Sequence, residues 1–218
     1  MTLRLRAGAA TDVGRVRQVN QDAFLLEPDR GLYAVADGMG GHPAGDVASA
    51  LAVDRLREVF ADDRADPAQA LAGALEQVHA AVRADAEATP ERTGMGTTMV
   101  VALVGDDAAW VAHVGDSRCY LFSEGRLRPV TADHGAGGYL TQALGLDRGV
   151  RPDVVEVPLR EGDRLLLCTD GLTNMVGDED VEAILRDVED PQAACDALAA
   201  AALDAGGVDN ITTVVIDR

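Results

Sequence analysis

The chain has 218 residues, enough for one domain or two small ones, and long enough to bury about 70% of its unfolded surface without a disulfide or structural metal. Its formal charge of −18 excludes a surface that could neutralise a row of phosphates or dock on an anionic membrane. The three cysteines, Cys119, Cys168 and Cys195, form no disulfide framework and no CxxC motif, and no apolar run reaches 18 residues. We therefore expect a soluble, reduced, cytoplasmic protein. We also expect it to be a monomer.

The first third of the chain predicts three short strands followed by two helices. Strand patterns cover residues 3–5, 23–27 and 31–36. Apolar residues recur at helical spacing over residues 48–60 and 71–82. Asp66-Pro67 supplies the second helix with an N-cap and a proline at its first position.

The rest of the chain predicts a meander of strands, then one more strand, two helices and a last strand. The meander covers residues 97–104, 109–114, 117–123 and 126–130, and the later strands cover 164–169 and 211–216. Helical patterns fill residues 181–188 and 190–202. Because strands occur in blocks and helices in pairs, the sequence favours an α+β fold of two antiparallel sheets covered by helix pairs.

Four aspartates border predicted strands, each beside a glycine or an asparagine: Asp37, Asp116, Asp170 and Asp209. Turn propensity alone could explain any one of them. Asp170, however, ends the apolar run 165–169 with no nearby lysine or arginine, and a charge in such a place is usually paired or bound to a metal.

A second feature concerns the register of the first hairpin. If Asp29 and Arg30 are the central turn residues, Asp22 lies directly opposite Asp37, with Cβ atoms about 4.5–5.5 Å apart. Two like charges at about 4 Å cost on the order of 4 kcal/mol at an effective dielectric of 20, unless a cation relieves the repulsion. A slip of one residue would remove this pairing.

A carboxylate cluster without cysteine, and without a histidine pair at ligand spacing, selects a hard divalent cation. Mg²⁺ or Mn²⁺ is therefore favoured over Zn²⁺. Several aspartates around one cleft indicate two ions, a pair that can activate water and clamp a phosphoryl group.

Eight short segments also occur in a characteristic order over about residues 11–216. They are GRVR with NQD (14–22), VADGMGGHPAG (35–45), GTT (96–98), VGDSR (114–118), TADH (131–134), LTQALG (140–145), CTDGL (168–172) and DNIT (209–212). In these segments the chain resembles the metal-dependent serine/threonine protein phosphatases of the PPM (type 2C) family, in their compact bacterial form. The resemblance implies a single catalytic domain, residues 1–218, with an α-β-β-α sandwich fold that hydrolyses phosphoserine and phosphothreonine.

The resemblance also implies a metal-ligand set. Asp37 would bridge two Mn²⁺ or Mg²⁺ ions, the Gly38 carbonyl would bind one, and Asp170 and Asp209 would hold the other. Asp116, together with Asp170, matches the site of a third, weaker ion. In the implied mechanism a water that bridges the two ions attacks phosphorus directly, without a phosphoenzyme.

Three further residues receive roles from the resemblance. Asp22 would sit at the binuclear centre through a bound water, and supplies a charge that animal members take from a glutamate at the position of Gln21. Arg17 would bind the substrate phosphate, for which its planar fork is suited. His42 is the candidate proton donor to the leaving alkoxide, or else a loop histidine that positions a water.

The sequence departs from the family between the TADH and LTQALG segments. Only residues 135–139 lie there, where bacterial relatives carry a longer flap beside the active site. We therefore expect the sequence around the phosphorylated residue to matter little. Phosphoproteins made by serine/threonine kinases are the expected partners, without nucleic acid or membrane. Two alternatives stay open: a small-molecule phosphatase with the same centre, and a non-catalytic pseudophosphatase sensor, against which the complete aspartate set and Arg17 argue.

Overall fold

Two five-stranded antiparallel sheets form the centre of the computed structural model, which describes residues 5–39, 44–60, 66–136, 139–147 and 149–218. The first sheet has the strand order β1 (Arg6–Asp12), β12 (Ile211–Asp217), β11 (Arg164–Cys168), β6 (Arg118–Ser123) and β7 (Arg126–Pro129). The second has the order β10 (Asp153–Pro158), β5 (Ala108–Val114), β4 (Met99–Val104), β3 (Leu32–Asp37) and β2 (Asp22–Glu27).

Helices cover the outer face of each sheet. Two pack on the second sheet, α1 (Gly45–Val59) and α2 (Pro67–Ala88). Three pack on the first sheet, α3 (Asp170–Thr173), α4 (Asp178–Asp187) and α5 (Pro191–Asp204). Within the described ranges, none of the helices has the length and apolar character needed to cross a membrane.

Alternation along the strands produces three apolar layers. In β3, Ala34 and Ala36 face the helices, while Tyr33 and Val35 face the other sheet. All four side chains are fully buried, so this strand contributes to two cores at once. The expected α-β-β-α sandwich of two antiparallel sheets is confirmed.

Several elements escaped the sequence analysis, among them β10, α3 and the two-residue strands at Gly135–Ala136 and Tyr139–Leu140. Strand β10 lies in a stretch that was expected to be irregular, because most of its side chains are exposed at the edge of the sheet and show little apolar alternation. Helix α3 is a single turn, too short to show a helical period. The strand expected over residues 3–5 lies mostly outside the described residues, and Leu5 is not in a strand; β1 begins at Arg6 and pairs antiparallel with β12 over seven residues.

The first hairpin has the expected register, and its turn lies at the expected residues. Pro28–Arg30 form a 3₁₀ turn, which Gly31 closes in the left-handed region with φ of 62°. Asp22 lies opposite Asp37, as the sequence predicted. Two carboxylates are therefore opposed at the end of this strand pair.

The predicted cap at Asp66 is confirmed, and helix α5 begins with a second aspartate cap. The Asp66 side chain accepts a hydrogen bond from the backbone N–H of Gln69 at 3.0 Å. The Asp190 side chain does the same for Ala193 at 3.0 Å. Each cap satisfies one of the donors that a helix start leaves without a partner.

A buried arginine joins the sheet to the connection between α4 and α5. The Nε of Arg164 donates to Asp217 at 2.7 Å, and its Nη1 donates to the carbonyls of Leu185 and Val188, both at 2.6 Å. Its Nη2 donates to the carbonyl of Glu189 at 3.1 Å. All these acceptors lie at the end of β11 that is remote from Asp170.

We expect Arg164→Met to lower the free energy of unfolding by about 3 kcal/mol, because it leaves a half-buried carboxylate and three carbonyls without their donor. Arg160→Met is the matched control, since its ion pair with Glu124 is exposed on both sides and contributes about 1 kcal/mol or less. Urea unfolding of both variants measures the difference. Equal losses would contradict the role assigned to the buried guanidinium.

Candidate metal centre

Strand ends bring the predicted site residues to one place. Asp37 ends β3, Asp116 follows β5, Asp170 follows β11 and Asp209 precedes β12. These four side chains and Arg17, from the connection between β1 and β2, line one cavity of about 400 Å³. The remaining lining residues are Met39, Thr98, Tyr139, Leu140 and Leu146.

Charge composition separates this cavity from the other two grooves seen on the described surface. Those grooves have volumes of about 530 and 660 Å³, and each combines several acidic side chains with at least two arginines. Among the described residues, the cavity at the strand ends is lined by four aspartates and one arginine. This excess of acidic over basic side chains makes it the best candidate for a cation site.

Asp22 lies beside this cavity, opposite Asp37. Its Oδ2 accepts a hydrogen bond from the Thr169 hydroxyl at 2.9 Å. Its Oδ1 is buried and has no hydrogen-bond partner within the described residues, and the same holds for Oδ1 of Asp170. Buried acceptors normally have a donor. Orphaned carboxylate oxygens among facing acids therefore fit a divalent cation as the missing partner.

The surroundings of these carboxyl groups raise their pKa values and favour their protonated forms. Burial, as the largest cause, raises the pKa of Asp22 to about 7 and that of Asp116 to about 6. The pKa of Asp37 is raised well above its usual value by burial and by the charges of Asp22 and Asp170. Burial and the charge of Asp209 raise the pKa of Asp170 as well. Such a cluster binds either protons or cations.

Arg17 lies against the acidic cluster. Its Nη2 donates to Oδ2 of Asp209 at 2.8 Å, and this hydrogen bond and the charge of Asp209 raise the pKa of the guanidinium. The side chain remains 40% exposed, so it can meet a ligand that enters the cavity. A guanidinium beside bound cations is a suitable receptor for a phosphate.

Two threonines hold the backbone of Asp37, and the sequence analysis assigned them no role. The Thr98 hydroxyl accepts from the backbone N–H of Asp37 at 3.0 Å, and the Thr97 hydroxyl donates to its carbonyl at 2.9 Å. Thr98 also shares a hydrogen bond of 2.6 Å with the Ser117 hydroxyl, next to Asp116. In the sequence they appeared only within the GTT segment (96–98), as a pair of hydroxyl residues at the start of an apolar strand.

Two of the proposed residues are less completely described. The backbone N–H of Gly38 donates to the Gln21 carbonyl at 2.9 Å, which ties the residue to the loop before β2. His42 lies outside the described residues, so its role stays a prediction. The role of Gly38 as a carbonyl ligand also stays a prediction.

Two histidines form a separate cluster with Asp153. The rings of His113 and His134 are stacked with centroids 4.4 Å apart, and Nε2 of His134 lies 3.1 Å from Asp153. The Gly115 N–H donates to Nδ1 of His134 at 3.2 Å, so Nε2 carries the proton. Although ligand atoms of the three residues lie within 4.8 Å, stacked rings do not aim their lone pairs at one point. The cluster instead holds Gly115, beside Asp116.

The short segment in place of a flap forms a small hairpin. Strand β8 (Gly135–Ala136) pairs with β9 (Tyr139–Leu140). Tyr139 is 81% exposed, and it lines the cavity together with Leu140 and Leu146. One wall of the cavity is therefore apolar and largely open to solvent.

A protein-family model and several characterised bacterial proteins match the sequence of this chain. The family model described as Protein phosphatase 2C matches residues 13–205. The serine/threonine phosphatase stp of Listeria welshimeri is 34% identical over 242 aligned positions, which cover 98% of this chain and 96% of that protein. The protein phosphatase PstP of Mycobacterium tuberculosis is 36% identical, and the match covers all of this chain and 46% of that protein.

Solved structures agree with the sequence matches. The catalytic domain of PstP in complex with two manganese ions superposes with a TM-score of 0.89 and 35% identity, covering 98% of this chain and 97% of that one. The chain belongs to the protein phosphatase 2C family. The expected class of enzyme, a metal-dependent serine/threonine protein phosphatase, is thereby confirmed.

The raised pKa values predict how the stability of the metal-free protein depends on pH. Between about pH 4 and pH 7 the folded state binds more protons than the unfolded state, so stability is highest at the acidic end and falls as the pH rises. At about 1.4 kcal/mol per pKa unit, we expect the metal-free protein to lose about 2–4 kcal/mol from pH 5 to pH 8.

Chemical unfolding in EDTA across this range measures the effect. Asp22→Asn should reduce the slope and stabilise the metal-free protein at pH 8, because it removes one buried charge from the cluster. Asp54→Asn is the control, since Asp54 is an exposed carboxylate on α1 that pairs with Arg57. If Asp22→Asn leaves the slope of the parent protein unchanged, the repulsion is not where we place it.

Proposed function

We propose that this phosphatase hydrolyses phosphoserine and phosphothreonine in proteins at the aspartate cluster, with Arg17 as the phosphate-binding residue. The observation that carries the proposal is a pair of buried oxygens, on Asp22 and Asp170, that have no hydrogen-bond partner among the described residues and lie among facing carboxylates. The cavity that these acids share with Arg17 gives a phosphate access to the same place.

The ligand assignment follows the family resemblance and suits the residues present. Asp37 and the Gly38 carbonyl would hold one ion, and Asp37, Asp170 and Asp209 would hold the other. Asp116 would serve a weaker third ion. Oxygen ligands of this kind suit Mn²⁺ and Mg²⁺. Bound there, such ions would make water acidic enough to attack phosphorus and would neutralise the charge of the phosphoryl group.

The chain's own residues prepare the site in three ways. Thr97 and Thr98 hold the Asp37 backbone from both sides, so the carboxylate projects from a fixed position. Asp209 orients the Arg17 guanidinium, which then meets the non-reacting phosphate oxygens. His42 would donate the proton that the leaving alkoxide requires.

The domain organisation, the location and the substrates of the protein are also part of the proposal. The family match over residues 13–205 supports one catalytic domain over residues 1–218. All three cysteines are free and buried, which suits a reducing, cytoplasmic location. We propose that the protein acts as a monomer. Its substrates would be phosphoproteins made by serine/threonine kinases, because the bacterial relatives are named serine/threonine phosphatases.

Removal of metal should abolish the activity. We expect hydrolysis of an aryl phosphate and of a phosphopeptide to vanish in EDTA and to return with Mn²⁺, and more weakly with Mg²⁺. Mn²⁺ should also raise the melting temperature, because an ion that binds only the folded state stabilises it. Activity that persists after complete chelation would contradict the proposal. A sugar phosphate hydrolysed faster than the phosphopeptide would favour a small-molecule phosphatase.

Substitutions should separate the ligands from the phosphate receptor. Asp37→Asn should lower kcat by at least about 100-fold, equal to about 2.7 kcal/mol, while the fold survives. Arg17→Ala should raise KM by about 10- to 100-fold, because a charge-assisted hydrogen bond contributes about 1.5–3 kcal/mol. Steady-state kinetics at saturating Mn²⁺ measure both, with Asp54→Asn as the control. Near-normal turnover of Asp37→Asn would show that this carboxylate is not the bridging ligand.

A further inference from the structure

One buried side chain ties the loop that carries Arg17 to the segment that carries Asp209. Asn210 is 4% exposed. Its Nδ2 donates to the carbonyl of Val13 at 2.9 Å and to the carbonyl of Val19 at 3.0 Å. These two carbonyls stand on either side of Arg17 in the chain, so one amide group spans the loop.

The oxygen of the same side-chain amide also makes a hydrogen bond. Its Oδ1 accepts a hydrogen bond from the backbone N–H of Gln21 at 2.9 Å. The Asn210 side chain thus makes three hydrogen bonds to a stretch of nine residues that lies 189 to 197 positions away in sequence. Only an amide combines two donors and one acceptor in this compact form; an aspartate in its place lacks the donors.

The beginning of the loop lies close against the same segment. The Arg15 N–H donates to the Gly207 carbonyl at 2.7 Å. Gly14 has a φ of 78°, and a Cβ atom there would lie 2.2 Å from the carbonyl oxygen of Asp209. The loop and the segment of Asp209 therefore touch backbone to backbone, with no room for a side chain between them.

Apolar packing contributes little to the placement of this loop. Residues 15–19 are all exposed, with Val16 at 66% and Val19 at 55%. A segment without buried side chains is positioned by its hydrogen bonds. The Asn210 side chain bonds the loop on both sides of Arg17, whereas the Arg15 and Asn20 side chains each add one bond, to the Leu203 carbonyl and to Thr11.

We propose that Asn210 is a positioning residue for Arg17: by fixing the loop on the segment of Asp209, it sets where the guanidinium stands relative to the aspartate cluster. The inference rests on the proposed role of Arg17 as the phosphate receptor. Asn210 contacts neither substrate nor cation in this scheme, and its whole effect on catalysis passes through Arg17.

A double-mutant cycle tests this dependence. Arg17→Ala, Asn210→Ala and the double variant are compared for kcat and KM with an aryl phosphate at saturating Mn²⁺, for inhibition by inorganic phosphate, and for Mn²⁺ affinity. We expect Asn210→Ala to raise KM and the phosphate inhibition constant at least fivefold, with Mn²⁺ affinity within threefold of the parent. The double variant should match Arg17→Ala within twofold, because the two effects share one path.

A matched control removes a similar amide clamp elsewhere. The Gln192 amide accepts from the Ala9 N–H at 3.1 Å and donates to the Ala9 carbonyl at 2.8 Å, joining α5 to β1. Gln192→Ala should lower the melting temperature and leave KM and phosphate inhibition within twofold. If Asn210→Ala does not fold, Asn210→Ser replaces it throughout the cycle, since serine is too short to reach both carbonyls.

The outcomes separate this inference from the proposed function. If Arg17→Ala leaves KM and phosphate inhibition unchanged, the proposed phosphate receptor is wrong and the inference fails with it. If Arg17→Ala raises both but the asparagine variant does not, or if the two effects multiply in the double variant, only the positioning role is overturned. A fall in Mn²⁺ affinity as large as the rise in KM would place the effect on Asp209, and would also overturn it.

Discussion

Repulsion between buried carboxylates is the constraint on which this structure depends. The pairing of β2 with β3 sets Asp22 directly against Asp37, and Asp170 adds a third charge to the same place. In water such groups would separate, but here each is fixed by a strand end, so the cost appears as raised pKa values. The ionised carboxylates therefore destabilise the fold when neither protons nor cations are bound to them, and a bound cation removes this repulsion.

Packing of the hydrophobic sandwich offsets the repulsion between these carboxylates. Three apolar layers, one between the sheets and one under each set of helices, bury most of the sheet strands on both faces. They hold the strand ends in register. Close backbone contacts leave little room for the acids to move apart: a Cβ atom at Gly171, next to Asp170, would lie 1.9 Å from the Asn210 carbonyl oxygen. The packing energy of the whole domain therefore opposes the local repulsion.

A network of neutral side chains converts the strand ends into a defined site. Thr169 joins β11 to Asp22, and its hydroxyl also accepts from the Thr212 N–H of β12 at 2.9 Å. Thr98 joins Asp37 to Ser117, beside Asp116. These groups carry no charge, so they hold the carboxylates without neutralising them. The negative potential remains available to cations, and Arg17, in the cavity wall, remains available for its proposed role with phosphate.

The sequence by itself determined the sheet-and-helix pattern, the opposition of Asp22 and Asp37 and the Asp66 cap, because near neighbours in the chain fix each of these outcomes. The sequence also showed four aspartates at predicted strand ends, whereas their expected roles as metal ligands came from the resemblance to the PPM family. Strand β10 was missed because an exposed edge strand has little apolar pattern. Tertiary structure alone decided the roles of Thr98 and Asn210, whose hydrogen bonds join residues 61 and about 190 positions apart. The sequence around a single polar residue does not show which distant group it will bind. Only the folded chain brings the donor and the acceptor within about 3 Å of each other.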